Sequence, residues 1–113
     1  MSRLYLAGPM RGIPNFNFPA FHEAAKLLRA EGHEVFSPAE KGEEAILTAN
    51  PGLQENMDFR RKVFKLDLAW ICEHADAVAL LPGWEKSSGS RAEKAAAEAI
   101  GLTIIILGST YHV

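Results

Sequence analysis

The stretch Ser87-Ser88-Gly89-Ser90-Arg91-Ala92-Glu93 gathers three hydroxyls, a glycine and a carboxylate where an apolar run, Ala77-Val78-Ala79-Leu80-Leu81, gives way to an alanine-rich segment. That pattern is a strand feeding a small-residue loop that opens a helix. The first N–H groups of a helix have no intrahelical partner and its dipole favours negative charge, so such a junction is an anion site. It also sets one carboxylate, Glu93, in the first helical turn. The same residues have a plainer use: Ser90-Arg91-Ala92-Glu93 is a capping-box sequence, with Ser90 as N-cap and Glu93 reaching back to the cap N–H. Both uses stand on this segment alone. A second anion site is Arg11, in a loop bracketed by Gly8 and Gly12. Its guanidinium can grip an oxyanion through charge-assisted bonds, or simply face solvent.

The elements that must position these residues follow from periodicity and punctuation. Residues 3–7 read as a short buried strand stopped by Gly8-Pro9, followed by a loop over 8–16 rich in turn formers. A helix starts near Asn17, its N-cap, with Pro19 in the first turn, Phe21, Ala25 and Leu28 at i, i+4, i+7, and Gly32 as its stop. Residues 33–36 make a second strand closed by Ser37-Pro38. The span 39–54 has no periodicity and is longer than most connections. A second helix over 55–73 carries Phe59, Val63, Leu66 and Trp70 as a buried stripe, with Asp67 beside it. A third strand over 76–81, a third helix over 90–100 and a fourth strand over 102–107 complete the chain.

Continuous apolar strands alternating with helices indicate a parallel sheet covered on both faces, joined by right-handed crossovers. The expected fold is a flavodoxin-like, three-layer α/β/α domain over residues 1–113. Its parallel sheet has four to five strands in the order 2-1-3-4(-5). Such sheets bind ligands beyond the carboxyl ends of their strands, here Gly8 to Gly12, Ser37 to Glu40 and Pro82 to Ser90.

Composition removes several classes of function. With 48% hydrophobic and 23% charged residues the 113-residue chain is ordinary globular material for one core. A formal net charge of −2 argues against gripping a nucleic-acid polymer, and the basic cluster Arg60-Arg61-Lys62 with Lys65 reads as a solvated helix face. The single cysteine, Cys72, excludes an intrachain disulfide and a cysteine zinc site, and reads as helix packing. His22, His33, His74 and His112 show no ligand-pair spacing, so no metal is expected. No basic leader precedes an apolar run at the start and no apolar run approaches the ~18 residues that span a bilayer, so a cytoplasmic protein without membrane contact is expected.

Three separated segments resemble one enzyme family, the nucleoside 2-deoxyribosyltransferases and their relatives the 2′-deoxynucleoside 5′-phosphate N-hydrolases. Tyr5-Leu6-Ala7-Gly8-Pro9-Met10-Arg11-Gly12 is similar to their first strand and loop. Asp67-Leu68-Ala69-Trp70-Ile71, running on to Ala75-Asp76, is similar to their Asp-Leu-x-Trp segment. Gly89-Ser90-Arg91-Ala92-Glu93, with Ala95, Ala97 and Gly101 beyond, resembles their glutamate-bearing helix. The likeness is greatest to small bacterial and phage members. Two positions depart from the pattern: Ser88 stands where many transferases have aspartate, and Ala95 where the family has glycine.

The resemblance implies cleavage of the N-glycosidic bond of 2′-deoxynucleosides or their 5′-monophosphates, by hydrolysis or by passing the sugar to another base. It makes Glu93 the nucleophile on the anomeric carbon, Asp67 the group assisting the departing base, and Tyr5 an orienting hydroxyl. A carboxylate suits a carbon that gains oxocarbenium character, and a second acid suits a leaving group that must gain a proton. Substrate contacts are expected from Gly8, Met10, Arg11 and Gly12 on the first loop and from Ser87, Ser88, Gly89 and Ser90, with Trp84 stacking on the base. Deoxy substrates are expected over ribo ones, because a 2′-hydroxyl withdraws electrons from the developing cation. No cofactor is expected. A homodimer or higher homo-oligomer is, since Phe16, Phe18, Trp84 and Tyr111 lie near loops or the tail and the family shares sites between subunits, so the tail around Tyr111-His112 should approach a neighbour's pocket.

Each residue also has an ordinary use: Tyr5 and Trp70 as core, Asp67 as a solvated or paired carboxylate, the serines as caps. Two other functions fit. Leu81-Pro82-Gly83 followed by Gly89-Ser90 and Glu93 is similar to the ribohydrolases acting on cytokinin ribotides, which makes a ribonucleotide phosphoribohydrolase the enzyme alternative. A chain that kept the pocket without turnover would be a nucleotide sensor or inhibitor. A receiver-type phosphoacceptor module shares the alternation but needs an acidic cluster at its early strand ends, where this chain has Gly8-Pro9.

Overall fold

Apolar side chains on both sides of Arg3–Ala7 make it the strand on which the sheet is built, β1. In the computed structural model, which describes residues 2–40 and 43–108, β1 lies between β2 (Glu34–Phe36) and β3 (Ala77–Leu80), and β4 (Thr103–Ile106) pairs with β3. All pairings are parallel and the order is β2-β1-β3-β4, the arrangement expected of a doubly wound sheet. Tyr5 stands opposite Phe36 on one side and Val78 on the other.

Strand alternation divides the core in two. Leu4, Leu6, Ala77, Ala79 and Leu81 face helix α1 (Phe18–Ala30), meeting Phe18, Phe21, Ala24, Ala25 and Leu28. Tyr5, Ala7, Val78 and Leu80 face the opposite layer, meeting Ile71 of α3 (Met57–His74) and Ala97 of α4 (Ser88–Ala99). The sheet is thus sandwiched between α1 and the α3–α4 pair. The stripe Phe21, Ala25, Leu28 is buried as its spacing predicts, and α1 stops at Gly32, φ 97°, with the Gly32 and His33 N–H groups bonded back to Arg29 and Leu28.

Several expectations are corrected. The connection over 39–54 is not structureless: it holds a short helix, α2 (Glu43–Ala49), and a 3-10 turn, Pro51–Glu55, before α3 starts at Met57 behind an Asn56 cap. Apolar periodicity missed them because Leu47 is buried while Ile46 is exposed. On α3 the stripe is rotated. Leu66 is 57% exposed, whereas Asp67 and Ile71 are buried, so the inward face runs through 63, 64, 67 and 71. Cys72 is exposed rather than packed. Asn17 precedes α1 but caps nothing with its side chain. It is one of three successive left-handed residues, Asn15, Phe16 and Asn17, and its Nδ2 donates to the Pro9 carbonyl at 2.9 Å.

Candidate active site

Three elements meet under one cavity of about 860 Å³ at the carboxyl end of the sheet. β1 supplies Tyr5, which has no solvent exposure, stacks on Phe36 with ring centroids 5.5 Å apart and lies 6.4 Å from the Trp70 ring. Its Oη donates to Glu93 Oε2 at 2.8 Å, across 88 residues of sequence. α4 supplies Glu93 and α3 supplies Asp67, each only 6% exposed, and both face the cavity. Tyr5 and Asp67 also influence each other's charge, so the three side chains form one electrostatic group.

Burial sets the chemistry of this group. Desolvation pushes the Glu93 carboxyl up to about 8, with the nearby Asp67 charge adding to it and the Tyr5 hydrogen bond opposing it. Desolvation likewise pushes Asp67 up to about 7, again against a Tyr5 hydrogen bond. Tyr5 is raised well above its ordinary value, first by burial and then by both carboxylates, so it stays a hydrogen-bond donor throughout the neutral range. Two carboxyl groups of this kind titrate as a pair and hold one proton between them near neutrality. Such a pair can present a charged oxygen and a proton donor to the same bound molecule.

The capping-box reading of Glu93 is overturned. Ser87, not Ser90, caps α4: its Oγ accepts from the Ser90 N–H at 3.2 Å, and the helix begins at Ser88. Glu93 therefore sits nearly two turns into the helix, too far in to reach the cap N–H. Its side chain turns to Tyr5 instead. Ser90, displaced from the cap, is fully buried, lines the cavity, and its Oγ has no hydrogen-bond partner among the described residues.

The rim comes from the loops after β1 and β3. Gly8, Met10, Arg11 and Gly12 line the cavity on one side and Ser87, Ser88 and Gly89 on another, as the sequence suggests. Gly8 must lack a side chain, because a Cβ there would lie 2.8 Å from Leu81 Cβ. Arg11 Nη2 donates to both Glu55 carboxylate oxygens at 3.0 Å, bridging the first loop to the turn before α3. Trp84 does not line the cavity. It packs on the Tyr5 side of the core with Lys94 Nζ 5.5 Å from its ring centroid, so the expected base-stacking role is withdrawn.

Sequence reasoning missed Glu55 and also Arg60, Arg61 and Lys86, all of which line the cavity. The signal for Arg60 was present: it lies seven residues before Asp67, hence on the same helical face, with Val63 and Phe64 between them. No group of three or more His, Cys, Asp or Glu among the described residues is arranged to hold a metal ion. Comparison with the curated proteins and with the solved structures finds no match. A family model does match, over residues 2–106, a span that takes in Tyr5, Asp67, Glu93 and both rim loops, and the chain belongs to the family it describes, Domain of unknown function (DUF4406).

Proposed function

We propose that the protein cleaves the N-glycosidic bond of 2′-deoxynucleosides or their 5′-monophosphates, releasing the base and passing the sugar to water or to a second base. The observation that carries the reading is the buried Tyr5–Glu93 hydrogen bond with Asp67 beside it, at the floor of a ligand-sized cavity. The pair's single proton, which the free site holds on Glu93, passes to Asp67 when substrate binds, and the charged Glu93 oxygen attacks the anomeric carbon as the bond to the base nitrogen breaks. The electron pair leaves with the base, which takes the proton held by Asp67. Water or an incoming base then displaces Glu93, returning a proton to the pair. Tyr5 holds the attacking carboxylate in place and favours its charged form. A 5′-phosphate would sit on the free N–H groups of Ser88 and Gly89 with the unpaired Ser90 hydroxyl, a site that a helix N-terminus makes favourable. The exposed thiol Cys72 suits a reducing, cytoplasmic setting, and no helix among the described residues is long and apolar enough to cross a membrane.

The test is a panel of deoxynucleosides, deoxynucleotides and their ribo counterparts, assayed for free base. Base should appear from the deoxy forms, and Glu93→Gln should lower turnover at least about a hundredfold, as removal of a principal electrostatic contributor does. Equal rates with ribo and deoxy forms would move the assignment to a phosphoribohydrolase. Base release by Glu93→Gln at the wild-type rate would remove Glu93 as nucleophile.

A further inference from the structure

The cavity carries positive charge in a place the glycosidic reaction does not use. Arg11, Arg60, Arg61 and Lys86 all line it and are exposed, and no ion pair involves Arg60, Arg61 or Lys86 among the described residues. Two of these cations, Arg60 and Arg61, lie away from the carboxyl pair. Arg60 and Arg61 precede Asp67 on α3 by seven and six residues, about 9 to 11 Å along the helix axis at the α-helical rise. Ser90 precedes Glu93 on α4 by three, only about 4.5 Å. A monophosphate at the α4 N-terminus therefore stays close to the sugar and leaves Arg60 and Arg61 unused, with Lys86, next to the Ser87 cap, between the two places. The rim already accepts an oxyanion: the Glu55 carboxylate is bonded through both oxygens to Arg11. That pair is solvent-exposed, with side chains 48% and 71% accessible, and such pairs are weak enough to exchange for a phosphate of higher charge.

We propose that Arg11, Arg60, Arg61 and Lys86 form a second anion subsite that takes the outer phosphate of a nucleoside 5′-diphosphate or longer phosphate chain, with Glu55 as a built-in competitor that this phosphate displaces. The inference relies on the glycosidase reading only for where the sugar sits. The binding it describes can be measured without turnover.

Calorimetric titration with the four 2′-deoxynucleoside 5′-monophosphates, their 5′-diphosphates, the free deoxynucleosides and inorganic pyrophosphate tests it. The diphosphate of the preferred base should bind at least tenfold tighter than its monophosphate. Glu55→Gln should tighten the diphosphate and pyrophosphate a further three- to tenfold and leave the free deoxynucleoside unchanged. The double variant Arg60→Ala/Arg61→Ala, altered only at exposed positions, should bring diphosphate and monophosphate to equal affinity. Equal binding of mono- and diphosphates by the wild type, a Glu55→Gln effect shared by the free deoxynucleoside, or no binding of pyrophosphate or any diphosphate to wild type or Glu55→Gln overturns the subsite. Diphosphate preference without base release from any compound removes the glycosidase and keeps the subsite. Base release without that preference does the reverse.

Discussion

Glu93 and Asp67 occupy a pocket in which ionising one makes ionising the other costlier, and Tyr5 hydrogen-bonds into that pair. Its hydroxyl donates to Glu93 at 2.8 Å, which favours the charged form, but burial outweighs that bond and leaves Glu93, at about 8, holding the shared proton ahead of Asp67, at about 7. With apparent values near 7 and 8, the singly protonated pair is abundant only in a narrow window. The pH profile of kcat/KM for base release should therefore be a narrow bell centred between pH 7 and 8, and a plateau from pH 5 to 7 would deny the pair a joint role. The same shifts fix the sign of a stability effect. Both carboxyl groups hold protons more tightly folded than unfolded, so their contribution is complete below about pH 4 and is lost as pH rises through 7 to 8. Thermal unfolding from pH 5 to 9 should show wild-type stability falling by on the order of 5 kcal/mol. Glu93→Gln, which cannot ionise, should have a shallower slope and should be the more stable protein at pH 9.

At the scale of elements, the start of α4 separates capping from ligand binding. Ser87 caps the helix, and Ser87→Ala should cost about 1 kcal/mol in denaturant unfolding. Ser90 is buried with an unpaired hydroxyl, so Ser90→Ala should be neutral or stabilising by up to about 1 kcal/mol, while weakening binding of a deoxynucleotide. A loss above about 1 kcal/mol for Ser90→Ala would mean that the hydroxyl serves the fold. The loop after β1 has a cost of its own. Three successive left-handed residues, one of them Phe16, are each unfavourable by about 1 to 2 kcal/mol, and they persist because Phe18 and Phe21 are buried beyond them. The Asn17–Pro9 hydrogen bond then ties the strained turn to the loop that carries Arg11.

Across the whole molecule, the two faces of the sheet have separate duties. The α1 face is entirely apolar packing, whereas the α3–α4 face is core at Ile71, Val78 and Ala97 and gives way to Tyr5, Asp67 and Glu93 toward the strand ends. Phe18 is buried and Phe16 and Trp84 are half-buried within the chain, so these aromatics supply no argument for association. Exposed apolar surface lies instead at Met57, Leu66, Ile100 and Ile106, each more than half exposed. On that ground a homodimer remains the expected state, and light scattering that gives a strict monomer at micromolar concentration would reject it. The expected approach of Tyr111-His112 to a neighbour falls outside the described residues.

The order of apolar strands and helices, their stops at Gly8-Pro9 and Gly32, and the strand-end position of the two loops are written in local sequence. Strand alternation and turn chemistry act over a few residues and leave few topologies open. Tyr5, Asp67 and Glu93 were legible as types on particular elements, yet their meeting was not, because a hydrogen bond across 88 residues depends on how β1, α3 and α4 pack. Tertiary structure alone decided the inward face of α3, where a half-covered helix buries Asp67 and leaves Leu66 outside. It also moved the α4 cap to Ser87, sent Trp84 to the core side of the sheet and brought Glu55 across to Arg11. Each of these turns on a rotation of one helix or a shift of a few residues at its end. Local propensity leaves such choices nearly degenerate, and only the packing of neighbouring elements separates them.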